Sequence, residues 1–159
     1  ADYFCPPCSQ VDSEAEPLLK ELLATGHVKI TFVDVPFSRA TPIYARYYLY
    51  AANADPDAAN IFHVRRALFE AAQVKRIQTE NALVAYLKEQ KIAWKVLDEK
   101  SIFPVLNAMI KEYKVEFTPT CVIKYTSQDV EIYVGVEDIR DGLTAFKAHL
   151  ESEESLMCC

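Results

Sequence analysis

Two cysteines separated by two prolines lie near the start of the chain, in the motif Cys5-Pro6-Pro7-Cys8. A C-x-x-C motif at the start of a helix is typical of thiol redox chemistry, because the helix N-terminus stabilises a thiolate and the second thiol lies one turn away. Cys5 is therefore predicted to attack a disulfide, and Cys8 to resolve the mixed disulfide that forms. Pro6 and Pro7 stiffen the loop, and Pro7 fits a first helical turn because its missing N–H would have no partner there.

The motif has two other interpretations, an unrelated pair of cysteines or half of a metal site. A structural zinc site would need a second pair of spaced ligands, which the sequence lacks, and the three histidines are far apart. A redox pair is therefore favoured, and no metal or organic cofactor is expected because the electrons can travel through sulfur alone.

The remaining three cysteines do not suggest a disulfide framework. Cys121 stands alone in an apolar run, which favours a buried core thiol over a third redox residue. Cys158 and Cys159 are adjacent at the end of an acidic segment. They are interpreted as the end of a tail, with a mobile redox pair as the alternative.

The elements that must position the motif follow from the spacing of apolar residues. Helical spacing predicts helices over residues 9–25, 43–52, 59–72, 79–90, 100–113 and 136–150. Apolar, β-branched runs predict a buried strand over 28–35 and a hairpin over 121–125 and 130–136. Pro17 is expected to kink or restart the first helix. Four tyrosines are expected to pack the helical region: Tyr44, Tyr47, Tyr48 and Tyr50. This order predicts an α/β fold in which helices flank a sheet.

Composition excludes several classes of partner. The chain has 159 residues, half of them apolar, which is enough for one full core. Its net charge of -6, with both signs interspersed, argues against nucleic acid as a partner. Every hydrophobic run is shorter than the roughly 18 to 20 residues of a membrane span, and no export signal is recognisable at the start.

A second motif, Phe117-Thr118-Pro119-Thr120, precedes the strand that contains Cys121. With the C-x-x-C motif on the other side of a helical block, it makes the chain resemble the DsbA-like branch of the thioredoxin superfamily over nearly its whole length. Further landmarks of the resemblance lie at residues 68–72, 120–123 and 133–135. The resemblance implies an α/β thioredoxin fold with an inserted α-helical domain. It also implies that Pro119 is cis and faces the C-x-x-C motif, and that the backbone of Thr118 pairs with an extended substrate.

The chain departs from this family at two places. Family members have a strand before the C-x-x-C motif, whereas only four residues precede Cys5, so the N-terminal strand is expected to be missing from this chain or supplied from elsewhere. Pro7 stands where DsbA-like proteins have a histidine that helps to activate the nucleophile, so a weaker oxidant is expected. The expected parts are 1–37 and 113–151 for the thioredoxin fold, 38–112 for the helical insertion and 152–159 for an acidic tail.

The function that the resemblance implies is thiol–disulfide exchange with proteins. The leading hypothesis is a periplasmic or otherwise exported oxidase that introduces disulfides into cysteine-containing client polypeptides and is reset by a redox partner. A reductase or isomerase of the same fold is one alternative, although isomerases of this superfamily usually carry a dimerisation domain. The other alternative is a chaperone-like binding module without catalytic activity.

Overall fold

The computed structural model describes residues 1–157, with side chains through residue 152, so that Cys158 and Cys159 lie outside the described residues. The helices within this range are α1 (Pro6–Ala24), α2 (Thr41–Ala54), α3 (Ala58–Gln73), α4 (Glu80–Glu89), α5 (Glu99–Glu112) and α6 (Val136–Met157). The strands are β1 (Thr120–Lys124) and β2 (Val130–Val134). The predicted helices are confirmed within a few residues at their ends, except for the C-terminal end of α6, and the C-x-x-C motif begins α1.

Strands β1 and β2 form the predicted antiparallel hairpin. Cys121 lies opposite Tyr133 in the middle of the register. The pairing continues beyond β1, because the N–H of Gly135 donates to the carbonyl of Pro119 at 3.0 Å. Gly135 has a φ of +90°, a conformation that favours glycine, and it leads directly from β2 into α6. The hairpin thus fixes Pro119 immediately before the start of β1.

The predicted strand over residues 28–35 is wrong, since the structure describes this segment in full and assigns no strand to it. Its backbone hydrogen bonds to another segment of the described chain are both with Ala1. The amino group of Ala1 donates to the carbonyl of Val33 at 2.7 Å, and the carbonyl of Ala1 accepts from the N–H of Val35 at 2.6 Å. A ladder needs several successive partner residues, so one residue leaves the segment extended but unpaired along most of its length.

Helix α1 passes through Pro17 in one piece, so the predicted restart of the helix is wrong. A proline removes one intrahelical hydrogen bond, and α1 tolerates this loss because it packs against both α3 and α6. Helix α6 continues to Met157 beyond its predicted end at Leu150, since the glutamates, leucine and methionine that follow are good helix formers. No helix of residues 1–157 combines the length and the apolar character that crossing a membrane requires.

The larger of two hydrophobic clusters, called the first core, lies among α2, α3, α4 and the residues before α1. Its most buried side chains include Tyr3, Tyr44, Ala51, Val64, Leu68, Ala71, Leu83 and Leu87. The tyrosines of α2 are all buried there, which confirms that they pack the helical region. Their hydroxyls remain paired: that of Tyr44 donates to the carbonyl of Ile77 at 2.8 Å, and that of Tyr47 to the carboxylate of Glu80 at 3.0 Å.

The smaller cluster, called the second core, joins the hairpin to α6 and to the opposite face of α1. Its buried members are Ile123, Ile139 and Leu143. A groove of about 400 Å³ runs beside it, between residues 27–35, β1 and α1. Helix α1 therefore lies between a densely packed region and an open one, with the C-x-x-C motif at its start.

Candidate active site

The two cysteines of the motif differ in their access to solvent. Cys5 is the N-cap residue of α1 and is half-buried, whereas Cys8 in the first turn is only 2% exposed. Both are free thiols, and the thiol of Cys8 donates to Sγ of Cys5 at 2.7 Å. An incoming sulfur can therefore reach Cys5, while the nearest sulfur to Cys8 is that of Cys5.

The first turn of α1 offers few hydrogen-bond donors to a Cys5 thiolate. Pro6 and Pro7 occupy its first two positions and carry no N–H. The N–H groups of Cys8 and Ser9 both donate to the carbonyl of Cys5, at 3.0 and 3.3 Å. The N–H groups of Cys8 and Ser9 are therefore not available as donors to the sulfur of Cys5.

The Thr118-Pro119 segment meets the cysteines at the start of β1. The peptide bond between Thr118 and Pro119 is cis, Pro119 is buried, and the thiol of Cys5 donates to the carbonyl of Thr118 at 3.4 Å. Phe117, one residue earlier, is 66% exposed. The structure therefore brings Cys5, Cys8, Thr118 and Pro119 together although more than a hundred residues separate the two motifs.

Burial determines the protonation of Cys8. The pKa of the Cys8 thiol is raised to about 11. Burial is the largest cause of this increase, and the hydrogen bond to Cys5 is the second. Cys8 is therefore a protonated thiol at neutral pH in the reduced protein. The protonated Cys8 thiol can therefore remain unreacted while Cys5 reacts with other molecules.

The side chain of Asp2 holds the residues before the motif in place. Its buried carboxylate accepts hydrogen bonds from the N–H of Phe4 at 2.7 Å, from the N–H and hydroxyl of Ser38 at 2.8 and 3.2 Å, and from the hydroxyl of Thr41 at 2.8 Å. These bonds tie the segment before Cys5 to the start of α2. The signal in the sequence was the serine and threonine cluster before α2, which offers donors to a carboxylate.

A buried group of charges under the site was missed by the sequence analysis. Arg65 of α3 is 2% exposed; it lies 2.6 Å from Asp12 of α1 and 3.8 Å from the buried carboxylate of Asp34. The hydroxyl of Tyr3 donates to Asp34 at 3.1 Å. Burial raises the pKa of Asp34, and the charge of Arg65 opposes this shift in part. The group joins α1, α3 and the 28–35 segment, and three separate charges in a sequence give no indication that they meet.

Gln73 is a second residue that the sequence did not indicate. It is the last residue of α3, and its side-chain amide donates to the carbonyls of Tyr3 and Cys5 at 3.0 and 3.1 Å. A glutamine at a helix end has no pattern that distinguishes it from a solvent-exposed one.

Cys121 lies in β1 and packs, half-buried, against the second core. Burial raises the pKa of its thiol to about 11, so this sulfur is protonated at neutral pH, as befits a core thiol. No group of three or more histidine, cysteine or acidic side chains in the described part of the chain is arranged to hold a metal ion.

Comparison with known proteins gives a match at the level of the family. A family model described as thioredoxin matches residues 1–134, which include both motifs. No curated protein and no solved structure matches the chain. Proteins with this fold are typically thiol–disulfide oxidoreductases, which agrees with paired cysteines at a helix N-terminus. The match covers well over half of the sequence, and the chain belongs to the thioredoxin family.

Proposed function

We propose that this chain is a DsbA-like oxidase that transfers a disulfide between Cys5 and Cys8 to cysteine-containing polypeptides. The observation that carries the proposal is the division between a reachable Cys5 and a buried Cys8 with their sulfurs 2.7 Å apart. Such a pair can close into a disulfide with little movement. Only one of its sulfurs is accessible to a client.

The exchange proceeds in two steps that balance. A client thiolate attacks Sγ of Cys5, the Cys5–Cys8 bond breaks, and Cys8 leaves as a thiolate that takes up a proton. A second client thiolate then attacks the client sulfur of the mixed disulfide, and Cys5 leaves. The client loses two electrons and gains a disulfide, and the pair gains the two electrons. A redox partner must then reoxidise the pair, and no further cofactor is needed.

The Thr118-Pro119 segment supplies the surface on which the client lies. The Thr118 carbonyl, 3.4 Å from Sγ of Cys5, is placed to accept a backbone hydrogen bond from an extended peptide whose cysteine is attached to Cys5. The exposed ring of Phe117 offers apolar contact beside it. Recognition through backbone atoms and one apolar side chain suits clients of varied sequence.

The helices between the two motifs support a DsbA-like protein rather than a plain thioredoxin. Helices α2–α5 lie between α1 and β1 in the chain, within the proposed insertion of residues 38–112. An oxidase of this type acts where disulfides persist, so the proposal includes an exported or periplasmic location.

A reductase of the same fold is the second candidate, and one observation favours it. Pro6 and Pro7 remove two N–H donors from the turn that faces Cys5, which reduces the stabilisation of the thiolate and hence of the reduced form. A less stable reduced form makes the pair a weaker oxidant.

The reduction potential of the pair distinguishes the two candidates. It is measured by equilibration with glutathione buffers in a protein in which Cys121, Cys158 and Cys159 are replaced by serine. A value towards -120 mV, the potential of a strong oxidant, supports the oxidase, and a value near about -270 mV supports the reductase. The expected value lies between these limits, because replacement of the histidine of the stronger oxidants by Pro7 weakens the pair as an oxidant.

An oxidase must also oxidise a substrate, so the reduction potential of the cysteine pair is complemented by an assay of disulfide formation. The oxidised protein should form a disulfide in a reduced peptide with two cysteines, and Cys5→Ser and Cys8→Ser variants should not. A wild-type protein that binds the peptide, exchanges no disulfide with it, and binds it equally well as Cys5→Ser would instead indicate a binding module.

A further inference from the structure

The side chain of Gln73 bridges two backbone carbonyls on either side of Phe4. Its Nε2 atom donates to the Tyr3 carbonyl at 3.0 Å and to the Cys5 carbonyl at 3.1 Å. A glutamine amide has two N–H donors, so one side chain can satisfy both acceptors. Gln73 therefore contacts the nucleophilic residue through its backbone and leaves its sulfur accessible.

The carbonyl of Cys5 is the acceptor from which α1 begins. It receives the N–H of Cys8 and the N–H of Ser9 in addition to the amide of Gln73. The orientation of this carbonyl thus defines both the direction of the first turn and the position of the Cys5 side chain. Because Pro6 and Pro7 contribute no N–H, few other backbone bonds hold this turn.

The C-terminal end of α3, which carries Gln73, is held in place by packing. Leu68, Phe69, Ala71 and Ala72 of its last turns are buried in the first core. The ring of Tyr3 packs on Phe69 with ring centroids 5.0 Å apart. The amide of Gln73 is therefore a fixed point, and the residues before α1 are held to it by packing as well as by hydrogen bonds.

We infer that Gln73 is a positioning residue for the reaction of Cys5, which rests on the proposed function. It holds the Cys5 backbone so that Sγ of Cys5 lies between Sγ of Cys8 and the Thr118 carbonyl, at 2.7 and 3.4 Å. Without the amide of Gln73, Cys5 can rotate so that its Sγ moves away from Sγ of Cys8 or from the Thr118 carbonyl. Misplacement of a reacting atom by about 1 Å can cost up to about a hundredfold in rate.

Two substitutions test this inference with side chains of nearly the same size. Gln73→Met removes both donors and adds no charge. Gln73→Glu removes the donors and also sets a carboxylate against two carbonyl oxygens, close to the sulfur that must ionise. Gln128→Met is the matched control, because Gln128 is exposed in the turn at the far end of the hairpin.

The measurements are the rate constant for oxidation of a reduced peptide and the rate of alkylation of Cys5 by iodoacetamide at pH 7. Both are made well below the unfolding transition of each variant, as monitored by circular dichroism. We expect peptide oxidation to fall about fivefold to tenfold in Gln73→Met and further in Gln73→Glu, on the basis of the geometric sensitivity above. Alkylation should slow about tenfold in Gln73→Glu, and Gln128→Met should match the wild type.

The two readouts separate the failure of this inference from the failure of the proposed function. Folded Gln73 variants whose two rates both stay within about twofold of the wild type would overturn the positioning role, even where their stability has fallen. A wild-type protein that does not oxidise the peptide would refute the oxidase, and the alkylation rate would still decide the role of Gln73. If Gln73→Met does not fold, Gln73→Asn replaces it, since this amide is one methylene too short to reach both carbonyls.

Discussion

The two sides of helix α1 differ in how completely they are packed. On one side the first core buries aromatic and aliphatic side chains from α2, α3 and α4, and it includes Cys8. On the other side the second core has three buried side chains, and the groove of about 400 Å³ opens beside it. The cysteine pair is therefore held by the side of the first core, called the dense side, while the Thr118-Pro119 segment belongs to the side of the second core and the groove, called the open side.

This asymmetry suits the proposed oxidase, whose proposed clients are polypeptides of varied sequence. The reacting sulfurs need fixed geometry, which the first core supplies through Tyr3 and which the hydrogen bonds of Asp2 and Gln73 reinforce. A surface for clients of varied sequence benefits from fewer fixed contacts, because loosely packed regions adapt at lower cost. The dense side and the open side should therefore differ in how much stability each loses when a side chain is removed.

Arg65 should be the residue whose loss damages the dense side most. Arg65→Met leaves the carboxylates of Asp12 and Asp34 buried without their cation, and removing one partner of a buried pair costs about 3 to 5 kcal/mol. The free energy of unfolding is measured by urea titration followed by circular dichroism.

The control for Arg65 is Lys147→Met on the open side. Lys147 of α6 lies 2.7 Å from Glu21 of α1, and both side chains are substantially exposed. Exposed pairs contribute little, so the unfolding midpoint should stay close to that of the wild type. A larger loss for Lys147→Met than for Arg65→Met would reverse the proposed order of the two sides.

Truncating one leucine on each side of α1 should again destabilise the protein more on the dense side, but the difference in the free energy of unfolding should be smaller. Leu68 is fully buried in the first core, whereas Leu143 of the second core also lines the groove. Leu68→Ala should cost about 4 kcal/mol, and Leu143→Ala about 2 kcal/mol, because a space that opens to the groove adds little cavity penalty. Equal losses in urea titrations would mean that the open side is packed as tightly as the dense one.

The thiols of the two sides should respond alike to pH. The pKa values of Cys8 and Cys121 are both raised to about 11 from 9.0. Because the folded pKa exceeds the unfolded one, their contribution to stability is complete below pH 9 and is lost as the pH rises towards 11. The reduced protein should therefore lose stability in this window.

Two comparisons assign that loss to the individual sulfurs. Cys121→Ser should lose less stability than its parent between pH 9 and 11, and the oxidised protein should lose less than the reduced one because its Cys8 no longer titrates. Identical slopes of the unfolding free energy against pH in all three proteins would contradict the assigned shifts.

Local patterns predicted most of the elements and both motifs. The six helices and the hairpin follow from the spacing of apolar residues, because each buries one face against a neighbour. The strand predicted over 28–35 is wrong because an apolar, β-branched run forms a strand only with a backbone partner beside it. Within residues 1–157 only Ala1 gives this segment such backbone hydrogen bonds. Pro17 does not restart the helix, because packing on both sides of α1 outweighs one lost hydrogen bond.

The supports of the site could not be predicted from local patterns. Gln73 and Arg65 act through contacts with residues more than thirty positions away, and neither has a spacing that marks it. The missing N–H donors at the start of α1 follow from Pro6 and Pro7, yet their consequence depends on where the N–H of Cys8 points. The motifs identify the chemistry, and the tertiary contacts determine how strongly it is favoured.

The division of roles between Cys5 and Cys8 is tested most directly by identifying which of the two sulfurs bonds to a client. In a protein in which Cys121, Cys158 and Cys159 are serine, Cys5→Ser and Cys8→Ser variants are mixed with a peptide activated as a mixed disulfide, and the products are mapped by mass spectrometry. We predict a stable adduct on Cys5 in the Cys8→Ser variant and a far slower reaction of the buried Cys8 in the Cys5→Ser variant. Equally fast adduct formation on Cys8 would contradict the division of roles between the two cysteines.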